Sequence, residues 1–286
     1  MAYLRKDCRL ALFKYCYKRG AFDRRVNGPL HWAIQREFTE AALYLIKMGE
    51  DTNRIDFHRR SPLDRALEKD NLEVFKALLE NQADVNFVGP ANGSLLHKAV
   101  YQDKYKYVEM LIKFGANLNC VSQSNHTPLH LAAYFGLTDI TKILIKNGAE
   151  IDPKINLLQT PLHFASAEGH QEVVKLLLEN GANHNIKDFE NNEPIHFSSI
   201  HGNVQCLEIL IQYGAYLNTR GKGNLTPLQM AVYGNQVVSA QSLLNYGANF
   251  NSKDNDHFIP MERAMAKKTL DIFKLLVFFE PLTKRQ

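Results

Sequence analysis

Apolar residues along this 286-residue chain recur in short helical stretches, broken by turn residues, and never in long runs. The stretch from 127 to 152 shows the pattern well. Leu129 and Ala132 fall on one face of a short helix, and Gly136 permits a tight turn after it. Ile140, Ile143 and Leu144 follow at i, i+3, i+4, the spacing of a second amphipathic helix. Thr127 offers an oxygen to the first free backbone N–H groups, and Pro128 suits a first helical turn that needs no donor there. Gly148 fits the left-handed position at a helix C-terminus, and the segment ending at Asp152 begins a turn-rich link.

The same pattern returns along the chain. The tetrapeptides Gly28-Pro29-Leu30-His31, Ser61-Pro62-Leu63-Asp64, Ser94-Leu95-Leu96-His97 and Thr127-Pro128-Leu129-His130 open four segments. Thr160-Pro161-Leu162-His163, Glu193-Pro194-Ile195-His196, Thr226-Pro227-Leu228-Gln229 and Ile259-Pro260-Met261-Glu262 open four more, each 33 residues after the last. Gly49, Gly115, Gly148, Gly181, Gly214 and Gly247 keep the same phase, with Gln82 and Glu280 in their place in the second and eighth segments. Four residues beyond stand Asn53, Asn86, Asn119, Asn185, Asn218 and Asn251, with Asp152 in the fourth segment.

A 33-residue period carrying T-P-L-H-x-A resembles the ankyrin repeat, over about residues 28–280. The resemblance implies an all-α solenoid of stacked helix-turn-helix units joined by β-hairpin-like loops. It divides the chain into an N-terminal helical cap, 1–27, and a repeat domain, 28–286, whose eighth unit is degenerate and caps the C-terminal end. Within the N-terminal cap, Arg9 to Arg19 reads as one helix closed by Gly20. Repeats two and eight replace the His-apolar pair with Asp64-Arg65 and Glu262-Arg263, so local fraying is expected there first.

Composition narrows the function. No apolar run approaches the roughly 20 residues of a membrane helix, and the polar, basic start has no secretory signature. Cys8, Cys16, Cys120 and Cys206 form no C-x-x-C pair, which excludes the usual zinc and redox motifs and fits a reducing, intracellular setting. The net charge of +4 is uneven: residues 1–60 carry +6 and the remainder −2.

His31, His97, His130, His163 and His196 form a row in phase with the repeat. Adjacent helices lie roughly 8–10 Å apart, whereas zinc needs each ligand nitrogen within about 2.1 Å. Each imidazole is therefore expected to bond nearby backbone and tie one repeat to the next. The triplets Asn92-Gly93-Ser94, Asn125-His126-Thr127 and Asn224-Leu225-Thr226 overlap repeat starts and read as by-products of helix capping rather than glycosylation sites. The eight repeats, the last one cut short, take up all of the 286 residues after the first 27, and no nucleotide-loop, nucleophile-elbow or zinc-protease motif occurs. Catalysis, a cofactor, a metal and a small-molecule substrate are not expected. The resemblance permits hydroxylation of turn asparagines such as Asn119, Asn185 and Asn251; a turn-stabilising hydrogen bond is the simpler role.

The resemblance also implies a protein partner, bound on the concave face by loop tips and first-helix ends, with the chain monomeric by itself. Carried over by position, the candidates are Tyr101, Gln102, Tyr134, Phe135, Ile200, His201 and Tyr233 at helix ends, and Phe57, His126 and Phe189 at tips. Large apolar groups at such positions either anchor a partner or lie down on the neighbouring helix. Arg24, Arg25, Arg36, His58, Arg59 and Arg60 form a basic group that fits an acidic partner, nucleic acid or anionic lipid as a second reading, or simply a solvated face. Nucleic acid is the weaker option because no binding motif accompanies the charge. A ubiquitin-ligase substrate receptor and a pathogen effector, in a host cell, are further roles that ankyrin arrays fill.

Overall fold

The computed structural model describes residues 2–20, 28–89, 93–155 and 157–283, with backbone alone for 2–9 and 280–283. Among them are seventeen α-helices, one 3-10 turn and no strand; Val88 and Ser94 make a single antiparallel bridge where hairpin-like loops were expected. Two compact stacks divide the chain, Met1–Ser124 and Asn125–Gln286.

In the first stack, α1 (Ala2–Lys18) precedes three helix pairs: α2 (Pro29–Gln35) with α3 (Thr39–Lys47), α4 (Pro62–Glu68) with α5 (Leu72–Glu80), and α6 (Leu95–Tyr101) with α7 (Tyr105–Lys113). Helix α1 is longer than the span read from sequence, and Gly20 follows it with φ +69°. Its Phe13 stacks on Trp32 at 5.7 Å and meets Phe38 edge-on at 5.8 Å, so it covers the first pair. Residues 21–27, the rest of the expected cap, lie outside the described residues.

The second stack holds α8 (Pro128–Tyr134) with α9 (Thr138–Lys146), α10 (Pro161–Glu168) with α11 (Gln171–Glu179) and α12 (Pro194–His201) with α13 (Val204–Gln212). It continues with α14 (Pro227–Tyr233) and α15 (Val237–Asn245), then α16 (Pro260–Lys267) and α17 (Leu270–Thr283). Here first helices pack on first helices and second on second. Ala132, Ala165, Ser198, Ala231 and Ala264 make that stacking possible: they occupy one repeat position, all at 0% exposure, and their small side chains allow close helix approach. Leu129, Leu162, Ile195 and Leu228 are buried three residues earlier in each helix. Removing any of these apolar side chains would cost about 2–5 kcal/mol.

The tetrapeptide works as a capping box with histidine in the role usually held by Glu. In repeat five the Thr160 N–H donates to His163 Nδ1 at 3.1 Å. An accepting Nδ1 places the ring proton on Nε2, which donates to the Asn192 carbonyl at 3.2 Å. His31 Nε2 reaches the Arg60 carbonyl at 3.0 Å, and His130 Nε2 the Gln159 carbonyl at 3.2 Å. Each bond clasps a repeat to the tip of the next. Gln229 substitutes faithfully in repeat seven: Oε1 accepts from the Thr226 N–H, and Nε2 donates to the carbonyls of Ser252 and Phe258. The turn asparagines add a second ladder. Asn53 donates to the Gln82 carbonyl and accepts from the Asp84 N–H; Asn218 accepts from the Asn249 N–H.

Repeats two and eight carry a compensation that composition hid. Arg65 Nε donates to Asp56 Oδ2 at 2.9 Å, and Arg263 Nε to Asp254 Oδ2 at 3.0 Å, each pair nine residues apart and buried. The other oxygen of each aspartate accepts two backbone N–H groups of its own tip: His58 and Arg60, or Asp256 and Phe258. One ion pair thus locks tip to helix where the histidine is missing.

Candidate functional site

The surface that sequence reasoning selected comprises loop tips and first-helix ends. In the first stack Tyr101 closes α6 with 67% of its surface exposed, and Gln102 caps the helix beside it, also exposed. Phe57 projects from the tip before repeat two, with the His58 ring 3.9 Å from its own. Arg24 and Arg25 lie outside the described residues. Arg36, His58 and Arg59 are exposed, but Arg60 is not a free cation: Nη1 meets Glu68 Oε2 at 2.9 Å. Glu68 also takes Lys98 at 2.9 Å and Arg65 at 3.5 Å, and Lys98 bridges on to Asp64 at 2.5 Å. Burial works to raise the Glu68 carboxyl, but the Lys98 bond and the charges of Lys98, Arg60 and Arg65 override it and hold it below the usual range. The basic group read from sequence is therefore partly consumed by an internal ion-pair network.

In the second stack the candidates fall into two clusters. His126 sits half-buried at its tip, its ring 5.5 Å from Phe164. Tyr134 packs edge-on against Phe135 at 5.0 Å and Phe164 at 6.1 Å, leaving Tyr134 42% and Phe135 39% exposed. The turn that presents them depends on Gly136: at φ +68°, a β-carbon there would lie 2.4 Å from His170 Nδ1. His170 in turn holds the Tyr134 carbonyl through Nε2 at 2.9 Å. At the tips, Phe189 is exposed, and its N–H donates to the carbonyl of the likewise exposed Leu157 at 2.9 Å.

The second cluster joins Ile200, His201 and Tyr233. His201 is exposed, but Ile200 is half-buried, and Tyr233 lies under two cations: Lys267 Nζ is 4.0 Å and Arg263 5.3 Å from its ring. Tyr233 thus lies against the next repeat rather than projecting. Ile200 and Tyr233 help wall a cleft of about 460 Å³ between repeats six and seven, with Phe197, Leu225 and Met230 supplying more apolar wall.

Sequence reasoning missed the residue that follows the histidine position of each repeat. In the second stack this position holds Leu131, Phe164, Phe197, Met230 and Arg263, none fully exposed. It lies one helical turn before the helix-end pair, on the same face. The period revealed it, but T-P-L-H-x-A leaves it unspecified. Among the described residues no group of His, Cys, Asp and Glu could hold a metal ion, and no helix is long and apolar enough to cross a membrane.

A family model for ankyrin repeats (3 copies) matches residues 6–88, 96–188, 152–221 and 195–283. The chain belongs to the ankyrin-repeat family. Ankyrin repeats are generally protein–protein interaction modules, and the family is typically a non-catalytic scaffold. Comparison with curated proteins gave no match.

Proposed function

We propose that this ankyrin-repeat chain is a non-enzymatic adaptor that binds a partner protein along the first-helix ends and loop tips, with the main anchors in the second stack. The observation that carries this reading is the aromatic run of His126, Tyr134, Phe135 and Phe164. Its rings pack on one another yet leave Tyr134 and Phe135 about two-fifths exposed. Rings held by neighbours lose little freedom on binding, and interface hot spots favour such side chains. Phe189 and Leu157, exposed at adjacent tips and tied by a backbone bond, extend the apolar surface.

Affinity capture with the full chain, followed by mass spectrometry, supplies the partner. Tyr134→Ala combined with Phe189→Ala is then expected to lose that same protein from the capture while the melting temperature stays nearly unchanged. Retention of the partner by the double variant would overturn the assignment of this surface.

A further inference from the structure

Two positions of the first helices decide where the second stack opens an apolar cleft. The residue after the histidine position and the one three further on share a helix face. Along the stack they are Leu131 and Tyr134, Phe164 and Ala167, Phe197 and Ile200, Met230 and Tyr233, then Arg263 and Ala266. Repeats six and seven are thus the adjacent pair with a large apolar residue at both positions. Phe197, Ile200, Met230 and Tyr233 wall a cleft of about 460 Å³, and the buried Leu225 closes it from the tip before repeat seven.

Charge around this cleft is one-sided. At the tip rim Lys222 Nζ meets Glu190 Oε1 at 2.6 Å, and the two neutralise each other. Asp256 is taken by Arg263 at 2.7 Å, and Glu262 accepts the Ile259 N–H at 2.9 Å. His201, exposed beside Ile200, adds no negative charge. At the helix-end rim the exposed Lys267 holds Nζ 4.0 Å from the centre of the Tyr233 ring and donates to the Tyr233 carbonyl at 3.4 Å. Both contacts are uncharged, so no carboxylate among the described residues matches this ammonium. An ammonium has three N–H donors, and one resting on a ring and a carbonyl can still take a carboxylate.

We propose that this cleft seats a large apolar side chain of the partner protein, followed directly in the partner's sequence by an acidic residue whose carboxylate pairs with Lys267. The segment belongs to the partner of the proposed adaptor, so the assignment rests on that reading. An apolar side chain gains by leaving water in proportion to its buried area. A polar one would lose its water here without a matching group from the walls of Phe197, Ile200, Leu225, Met230 and Tyr233. Consecutive residues lie about 3.8 Å apart at Cα, so an acid next to the seated residue comes within reach of the flexible Lys267 stem on the adjoining ring. A lysine in its place would meet like charge.

The full chain, labelled at its methyl groups, is titrated by NMR at low salt with the capped peptide Gly-Ser-Leu-Glu-Ser-Gly and two relatives, one with Lys for Glu and one with Ser for Leu. The parent peptide is expected to shift the methyls of Ile200, Leu225 and Met230. It should bind about fivefold more tightly than the lysine peptide and at least about tenfold more tightly than the serine peptide. Lys267→Gln is expected to erase the preference for glutamate over lysine, and Ile200→Trp, which fills the cleft, to abolish the methyl shifts. Equal affinity of the glutamate and lysine peptides, equal affinity of the leucine and serine peptides, or no methyl shift at the highest soluble peptide concentration overturns the proposal. Those comparisons need only the unaltered chain, so they stand even if the tryptophan variant folds poorly. A glutamate preference kept by Lys267→Gln also overturns it. Partner capture is read separately on Tyr134 and Phe189, so a partner captured by a chain without these preferences sinks this proposal alone.

Discussion

His163 Nε2 lies 3.2 Å from the carbonyl oxygen of Asn192, 29 residues further along, while Nδ1 of the same ring takes the Thr160 N–H. Both nitrogens are thereby committed to the neutral form, since a protonated Nδ1 could no longer accept. Burial pushes His130, His163 and His196 down to about 4.

A pH dependence follows. In the unfolded chain these rings titrate near 6.5, so between about pH 6.5 and 4 the unfolded state holds more protons. Stability is fully present above about 6.5 and falls as pH drops through that window. Denaturant midpoints measured across it are expected to decline on acidification. His163→Gln, which keeps both bonds as Gln229 does, is expected to reduce proton uptake on unfolding by about one. A midpoint independent of pH in that window would count against the buried neutral rings.

Gln229 can be tested by removal. Gln229→Leu keeps the volume but leaves the Thr226 N–H without its acceptor, and the Ser252 and Phe258 carbonyls without the side-chain donor. The expected loss is about 3 kcal/mol by chemical denaturation. A loss well under 1 kcal/mol would show that the clasp adds little to holding repeats seven and eight together.

The buried pair of Arg263 and Asp254 should behave unlike a surface bridge. Removing one partner, as in Asp254→Asn, leaves the buried Arg263 guanidinium to the exposed Asp256, 2.7 Å away, and is expected to cost about 2 kcal/mol. Hydrogen exchange should localise the loss to repeat eight. The double change Asp254→Asn with Arg263→Met is expected to cost less than the sum of the single changes.

Gln82 holds φ +63° at the position where Gly148 and its counterparts stand. A side chain in the left-handed region costs about 1 kcal/mol, so Gln82→Gly is expected to raise stability by up to that amount. Thermal melts of the two chains decide it.

The period and the T-P-L-H motif made the helix pairs, the caps and the role of the histidines legible, because each follows from chain-local geometry repeated at fixed spacing. What stayed hidden depends on neighbours a repeat away. Tyr233 reads as exposed until Arg263 and Lys267, 30 and 34 residues on, are seen over its ring. Arg60 counts as free charge until Glu68 is found beside it. Asp56 and Arg65 look like a damaged motif, since a nine-residue spacing across a helix cap belongs to no helical period.

Gln229 stands apart from the histidines in one respect: its amide takes up no proton in the range that charges an imidazole. Acid therefore discriminates within the second stack. The seams secured by His130 and His163 loosen as protons arrive, whereas the seam secured by Gln229 does not sense them. Acidification towards pH 4 would weaken the seams of His130 and His163 and leave the last two repeats joined, where Gln229 acts beside the contacts of Arg263 and Lys267 with Tyr233.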